Sequence, residues 1–353
     1  MKTRITESFG IKHPIMLAGM NWLTTPELVA AVSNAGGLGN LAISAHTPEN
    51  LKSDIKKIRE LTDKPFAINQ ILISPTAKAN MAVVIEEQVP IVNYTLGRPN
   101  DIAPIIEAVH QYGGKVLATV ALARHAIRAA QLGADAVNIT GHEAASHGGF
   151  ATTLILIPLV ADGVHVPILA AGGFHDGRGL AAALMLGADG VTMGTRFAMT
   201  HECAMHQNWK DVIVQASEQD TIYIDVGDPA VNSRVFKTKK IEEAMTKRFS
   251  LADTVSSALD AKEKMNVSWW KMITSGLKTA KGEDGMSIIS QMKYASQTSN
   301  VDRVMFSGDT ENGRMPIGQV IGGIKEVLTC QEVVERTVAQ AEETLKAKYG
   351  VLA

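Results

Sequence analysis

Residue types able to do chemistry gather in a few short stretches of this chain. Gly141-His142-Glu143-Ala144-Ala145-Ser146-His147-Gly148-Gly149 joins two histidines, a carboxylate, a hydroxyl and a glycine pair. Imidazole takes up and releases a proton near neutral pH, so the stretch suits acid–base work. His147 is the better candidate for that role; the plainer alternative is a helix cap or a simple substrate contact. His142 reads as a loop residue without chemistry. A metal would have to draw on His142, Glu143 and His147, yet no H-E-x-x-H helix is present, and no metal is expected.

Two other stretches offer glycines where a phosphate could sit. Ala171-Gly172-Gly173-Phe174-His175-Asp176-Gly177 ends an apolar run and leads into a helical one, so backbone N–H groups can approach an anion there. Met193-Gly194-Thr195-Arg196 ends the next apolar run. Alternatively, these glycines only permit tight strand-to-helix turns. Gly37-Leu38-Gly39-Asn40-Leu41-Ala42 matches G-x-G-x-x-A, but a helical stretch precedes it and a strand follows, the reverse of the dinucleotide-binding order. Its glycines read as a helix stop. Asn69 offers an amide to a cofactor edge or simply forms a turn. Met20 and Trp22 can pack on an aromatic cofactor or join the core. Ser307-Gly308-Asp309 either closes over a site or caps a helix.

The elements that must position these residues alternate strictly. Strands are expected at Pro14 to Ala18, Gly37 to Ile43, Phe66 to Ile71, Ile91 to Tyr94, Lys115 to Thr119, Ala136 to Thr140, Pro167 to Ala171 and Gly190 to Met193. Helices fit between them, with Thr25 or Thr24 and then Thr47 as caps and Gly113-Gly114, Gly133 and Gly187 as stops. Apolar strands without polar alternation suit a parallel sheet covered by helices, and eight of them favour a (β/α)8 TIM barrel over an open sheet. The two phosphate-type turns then follow strands seven and eight, the usual phosphate site of such barrels. Beyond Arg196 the rhythm breaks. We expect a barrel from residues 1–219 and 313–353, with 220–312 as a mostly helical insertion containing Trp269-Trp270 and a Lys278 to Met286 loop. The last barrel helix is expected at Met315 to Val327, followed by a C-terminal helix from Cys330 to Lys348.

Composition narrows the function classes. A formal net charge of -2 without a basic block gives nucleic acid or an anionic membrane no electrostatic hold. The N-terminal residues lack the apolar run of a signal peptide and no stretch is suited to span a bilayer, so a cytoplasmic location is expected. The two cysteines, Cys203 and Cys330, are expected as reduced thiols.

With these residues assembled, the chain resembles the nitronate monooxygenase superfamily of FMN barrels, which also contains FMN-dependent enoyl-ACP reductases and NADH:quinone reductases. The resemblance begins at His13-Pro14-Ile15-Met16 and runs through Ala35-Gly36-Gly37-Leu38-Gly39, Thr62-Asp63-Lys64-Pro65-Phe66 and Glu143 to Gly149. It is densest from Ala170-Ala171-Gly172-Gly173-Phe174 through Met193-Gly194-Thr195-Arg196-Phe197, and ends with Ser307-Gly308-Asp309 and Gly318-Gln319. It implies FMN as cofactor. Ala18, Gly19 and Met20 would wall the isoalloxazine ring, and Asn69 and Thr119 would contact the flavin. Ala171, Gly172, Gly173, Met193, Gly194 and Thr195 would form the phosphate turns, with His147 near the reactive face.

Departures from the family pattern are Ala145-Ser146 in place of Gly-Gly, Ala18 in place of the first glycine of Gly-Gly-Met, and Thr119 where the quinone reductases carry lysine. Val120-Ala121-Leu122-Ala123 instead resembles the enoyl reductases. The implied activity is oxidation of alkyl nitronates with molecular oxygen. NAD(P)H-dependent reduction of a quinone, or of an enoyl-ACP, is the alternative. A flavin-free barrel binding a phosphorylated ligand is a third reading. The insertion is expected to cover the site or to form a homodimer contact.

Overall fold

The computed structural model describes residues 1–145, 148–224, 232–246 and 301–352. Its strands are β1 (Ile15–Leu17), β2 (Gly39–Ala42), β3 (Phe66–Ile71), β4 (Ile91–Thr95), β5 (Lys115–Val120), β6 (Ala136–Thr140), β7 (Ile168–Ala171) and β8 (Gly190–Met193). The helices are α1 (Arg4–Phe9), α2 (Pro26–Asn34), α3 (Pro48–Leu61), α4 (Ala77–Glu86), α5 (Pro99–Gln111), α6 (Ala123–Gln131), α7 (Thr153–Ala161) and α8 (Gly177–Met185). The eight strands pair in parallel in the order β1-β8-β7-β6-β5-β4-β3-β2. A parallel bridge between Met16 and Leu38 then joins β1 to β2 and closes the (β/α)8 barrel.

Local sequence explains the elements. Thr25 and Thr47 accept N–H bonds from Leu28 and Asn50 at the starts of α2 and α3, each followed by a proline at the first helical position. Gly36, at φ +89°, makes the left-handed turn that ends the α2 region. The barrel interior changes character along its axis. At the N-terminal end, Met16, Leu38, Ala67, Ile91, Leu117, Ala136 and Leu169 pack with Ile5, Phe9 and Ile11, so α1 and the residues after it plug that end. Arg4 holds α1 in place with two 2.7 Å bonds to the Asp189 carboxylate. Nearer the C-terminal ends, inward positions turn to amides and hydroxyls.

After β8 come α9 (Thr195–Ala198), α10 (Gln207–Gln215), β9 (Thr221–Ile224), β10 (Ser233–Phe236), α11 (Lys239–Thr246), α12 (Val301–Ser307) and α13 (Cys330–Leu352). β9 and β10 form an antiparallel ribbon, which the polar helical reading of 220–312 did not anticipate. Trp269-Trp270 and the Lys278 to Met286 loop lie outside the described residues. The helix expected at Met315 to Val327 is corrected. Met315 and Ile317 instead bond to Phe236 and Arg234 at the edge of the ribbon, and only a 3-10 turn, Gln319–Gly323, follows. Pro316, Gly318 and the Gly322-Gly323 pair all disfavour a helix there. The helix that covers the barrel after β8 is α13, whose Thr337–Ala341 backbone lies against Gly177 of α8. No described helix is long and apolar enough to cross a membrane.

Gly39 shows how tightly α2 seats on β2. A Cβ there would lie 2.1 Å from the Val29 carbonyl oxygen and 2.7 Å from Ser33 Oγ, which also accepts the Gly39 N–H. Gly39→Ala is therefore expected to lower unfolding stability by about 1–3 kcal/mol through overpacking. Denaturant midpoints of the two proteins measure this; an unchanged midpoint would mean that α2 can back away freely.

Candidate active site

A cavity of about 260 Å³ opens at the C-terminal ends of the strands. Ala18, Gly19, Met20, Asn69, Thr119, Ala171, Gly172, Gly173, Gly194 and Thr195 all line it, so ten of the residues singled out from the sequence come together here. Met193 does not line it. That side chain is 1% exposed and packs in the hydrophobic core, and Met193 supplies only a carbonyl that accepts the Ala18 N–H at 3.0 Å. Strand alternation sends it outward, between Thr192 and Gly194 at the cavity. His147, with Ser146, lies outside the described residues.

The two glycine turns have the backbone shape of an anion cradle. Gly172 and Gly173 adopt φ of +104° and +82°. Among the described residues, the backbone N–H groups of Gly173, Phe174, Gly194 and Thr195 make no hydrogen bond in the two turns, whereas the Gly172 N–H continues the β7–β8 ladder toward the Thr192 carbonyl. Phe174 and Thr195 are buried, Gly194 is half-buried and Gly173 exposed, so these four donors open on the cavity, where they fit a ligand that brings several acceptor oxygens, such as a phosphate. The β1 turn closes onto the same place, with Ala18 Cβ 3.4 Å and Met20 Sδ 3.7 Å from where a Gly194 Cβ would stand. Arg196 points elsewhere. Its guanidinium donates to the Met199 and Glu326 carbonyls, and burial pulls its pKa down to about 10, with the Glu326 carboxylate pulling the other way.

The cavity floor is a relay of neutral side chains. Thr192 Oγ1 donates to Asn138 Oδ1 at 2.8 Å, Asn138 Nδ2 to Thr119 Oγ1 at 3.1 Å, and Thr119 Oγ1 to Asn93 Oδ1 at 2.8 Å. Asn69 Nδ2 donates to Thr95 Oγ1 at 3.1 Å. Gly19 makes room for that amide, since a Cβ there would stand 2.8 Å from Asn69 Oδ1. Asn93, Thr95, Asn138, Thr140 and Thr192 were not singled out from the sequence. Polar residues two apart inside apolar strands, Asn93/Thr95 and Asn138/Thr140, were the available signal. Trp22 enters from the β1 turn at φ +66°, held by Met20, whose carbonyl accepts the N–H groups of Leu23 and Thr24. A bulky residue in that region is strained, and here the strain puts an indole on the cavity wall. Met205, Met305, Met315 and Ile317 complete an apolar roof; they come from beyond β8, where no local pattern marks them.

The ribbon grips the loop that follows β6. The Arg234 N–H donates to the Ala145 carbonyl at 2.7 Å, and its guanidinium to the His142 carbonyl at 3.2 Å. The Tyr223 hydroxyl donates to the Gly148 carbonyl at 3.1 Å, while its ring lies 4.4 Å from the His142 ring. Burial lowers the Arg234 pKa, with the Glu143 and Tyr223 charges opposing. Glu143 is spent on structure: its carboxylate accepts the Thr153 N–H and hydroxyl at the start of α7. His142 stays a loop residue, its Nδ1 3.0 Å from the Gly149 carbonyl. Ser307-Gly308-Asp309 does not reach the cavity; Asp309 accepts the Glu311 and Asn312 N–H groups of an exposed turn.

Known proteins match this chain in sequence and fold. The family model described as nitronate monooxygenase matches residues 2–81 and 70–340. The (3aS,4S,5R,7aS)-5-hydroxy-7a-methyl-1-oxo-octahydro-1H-indene-4-carboxyl-CoA dehydrogenase of Rhodococcus jostii (strain RHA1) is 34% identical over 351 residues, 98% of either chain. A protein of Staphylococcus saprophyticus named "Probable nitronate monooxygenase" is 33% identical over 76% of this chain and 90% of its own. The solved structure of FabK from Thermotoga maritima is 33% identical and superimposes with a TM-score of 0.81 over 99% of each chain. A closed parallel barrel, a donor-rich cradle after β7 and β8, and matches of this length together make the chain a member of the nitronate monooxygenase family of oxidoreductases.

Proposed function

We propose that this chain is an FMN-dependent oxidoreductase acting on an acyl thioester, carried by coenzyme A or an acyl carrier, with a sizeable apolar acyl group. The cofactor reading rests on the N–H groups of Gly173, Phe174, Gly194 and Thr195, which the β7 and β8 turns leave open to the cavity. Gly172, Gly173, Phe174, Gly194 and Thr195 would hold the phosphate, Ala18, Gly19 and Met20 would wall the ring, and Asn69 and Thr119 would meet its polar edge. FMN, when bound, supplies hydride acceptance and donation, which no side chain can. The chain's own residues orient the partners, shield them from water and handle protons. His147 is assigned the proton accompanying hydride movement, and Arg234 and Tyr223 fix the ends of its loop. Two buried free cysteines, Cys203 and Cys330, fit a reducing cytoplasm.

The substrate class rests on the roof. Met205, Met305, Met315 and Ile317 form an adaptable apolar surface that a small nitronate would leave unfilled. The Rhodococcus relative's name specifies a carboxyl-CoA substrate with a fused-ring acyl group, which supports the same class. So does Val120-Ala121-Leu122-Ala123. Thr119, satisfied within a neutral relay, supplies none of the positive charge of the quinone-reductase lysine. These observations favour thioesters over the nitronates that the family resemblance implied. Oxidation of alkyl nitronates with oxygen is kept as a second reading because the family model and the Staphylococcus relative carry that description.

Three outcomes are expected. Gly173→Asp puts a carboxylate and a side chain at φ +82° against the phosphate, so the purified variant should be colourless while keeping its circular dichroism; full flavin occupancy would displace the phosphate from this turn. His147→Ala should keep its flavin and lose about 10²–10⁴-fold in turnover; an unimpaired rate at saturating substrate would remove His147 from the mechanism. In anaerobic mixing, NADH or NADPH should bleach the flavin and an enoyl thioester restore its colour. Bleaching by propyl nitronate alone, with indifference to both nicotinamides, would establish the second reading instead.

A further inference from the structure

Among the described residues, the segment after β8 is fastened to one side of the cavity mouth. It bonds to the β6 loop through Tyr223 and Arg234 and to the β8 turn through Gly318, and no described hydrogen bond joins it to the loops after β3, β4 or β5. Those three loops begin side by side. Ile71, Thr95 and Thr119 are register partners at the ends of their strands, and all three line the cavity. The first two loops touch, since a Cβ on Gly97 would stand 2.6 Å from Leu72 Cδ1. Each loop leads to one exposed cation: Lys78 in the first turn of α4, Arg98 immediately before α5, and Arg124 in the first turn of α6. The helix dipole opposes a cation at that end, and α2 and α3 carry Glu27 and Glu49 there instead. None of the three cationic groups has an ion-pair partner among the described residues.

We infer that this arc binds the phosphate-bearing nucleotide end of coenzyme A while the thioester end occupies the cavity. The inference rests on the thioester reading of the site. Neighbouring packed helices lie about 10 Å apart, so the arc runs about 20 Å from Lys78 to Arg124. A CoA thioester that enters acyl group first leaves its diphosphate and 3′-phosphate at the mouth, joined to the reacting end by the flexible pantetheine arm. Those phosphates are the densest negative charge on the substrate, and the planar forks of Arg98 and Arg124 match phosphate oxygens in pairs. Width decides against the acidic face of an acyl carrier. Asp101 in the first turn of α5 and Glu107 farther along it are exposed and also lack ion-pair partners among the described residues. The positive surface is therefore a narrow arc along the rim, enough for one nucleotide, and a carrier helix laid over α5 would meet two carboxylates.

Steady-state kinetics of the flavin-loaded protein with two substrates test this: an enoyl-CoA and the same enoyl group on N-acetylcysteamine, which has no phosphate. Arg98→Gln and Arg124→Gln should each raise KM for the CoA thioester roughly fivefold, and together roughly twenty-fivefold. KM for the N-acetylcysteamine thioester should move less than twofold, as should KM for NADH or NADPH. Added salt should raise KM for the CoA thioester alone. Equal changes for both thioesters, or a change confined to the nicotinamide, would overturn the inference, as would a carrier-linked enoyl group that feels the two substitutions more than the CoA thioester does. Equilibrium dialysis with free CoA separates the arc from the thioester reading. CoA that binds the unmodified protein and is lost from the double variant sustains the arc even if neither thioester is turned over. CoA that binds both proteins equally, or neither, overturns it.

Discussion

Inward polar side chains from four strands find their partners in one another, and that linkage shapes the site, although Asn40 of β2, equally buried, has no partner for either amide atom. Thr192, Asn138, Thr119 and Asn93 come from four different strands, yet each orients the next, so the relay can exist only if all four strands keep register. An unpaired amide in that interior would cost about 1–3 kcal/mol, enough to matter for a fold of marginal stability. The relay therefore gives the cavity a fixed, uncharged floor. A lysine in place of Thr119 would bring a charge to that floor, whereas this chain keeps neutral hydrogen bonds that can face a heteroaromatic edge without a counter-ion.

The site is assembled from both sides of a long interruption in the barrel rhythm. The cradle and the floor belong to the strands and their turns, while the roof and the clamp on the β6 loop arrive after β8. Tyr223 and Arg234 hold the carbonyls of His142, Ala145 and Gly148, and Met315 to Ile317 run along the same ribbon before Gly318 donates to Thr195 Oγ1 at 3.0 Å. One ribbon thus ties the histidine loop to the cradle, and a shift in either would be felt by both.

Much of the barrel could be read from the chain because its signals are local. Phe66–Ile71, Ala136–Thr140 and Gly190–Met193 are short apolar runs between helix stops, and Thr25 and Thr47 cap as their spacing says they should. The cradle was legible for the same reason: Gly172, Gly173 and Gly194 sit where a chain must turn tightly after a buried strand. Met193 was misplaced because proximity along the chain does not say which face of a strand a side chain takes. The Met315 to Val327 region was misread because its apolar pattern fits a helix, whereas Pro316 and the tertiary bonds from β10 hold it extended. Met205 and Met305 had no signal, since an apolar roof built from distant loops looks in sequence like any piece of core.

The plug formed by Ile5, Phe9 and Ile11 has a consequence for traffic. Packed against the lowest ring of inward side chains and tethered through Arg4 to Asp189, it fills the N-terminal end of the barrel among the described residues. An electron donor and an electron acceptor cannot then approach from opposite ends. With both reactants entering at the C-terminal ends of the strands, where the cavity opens, the sequence of arrivals and departures there, rather than passage through the barrel, would set the order of a reaction.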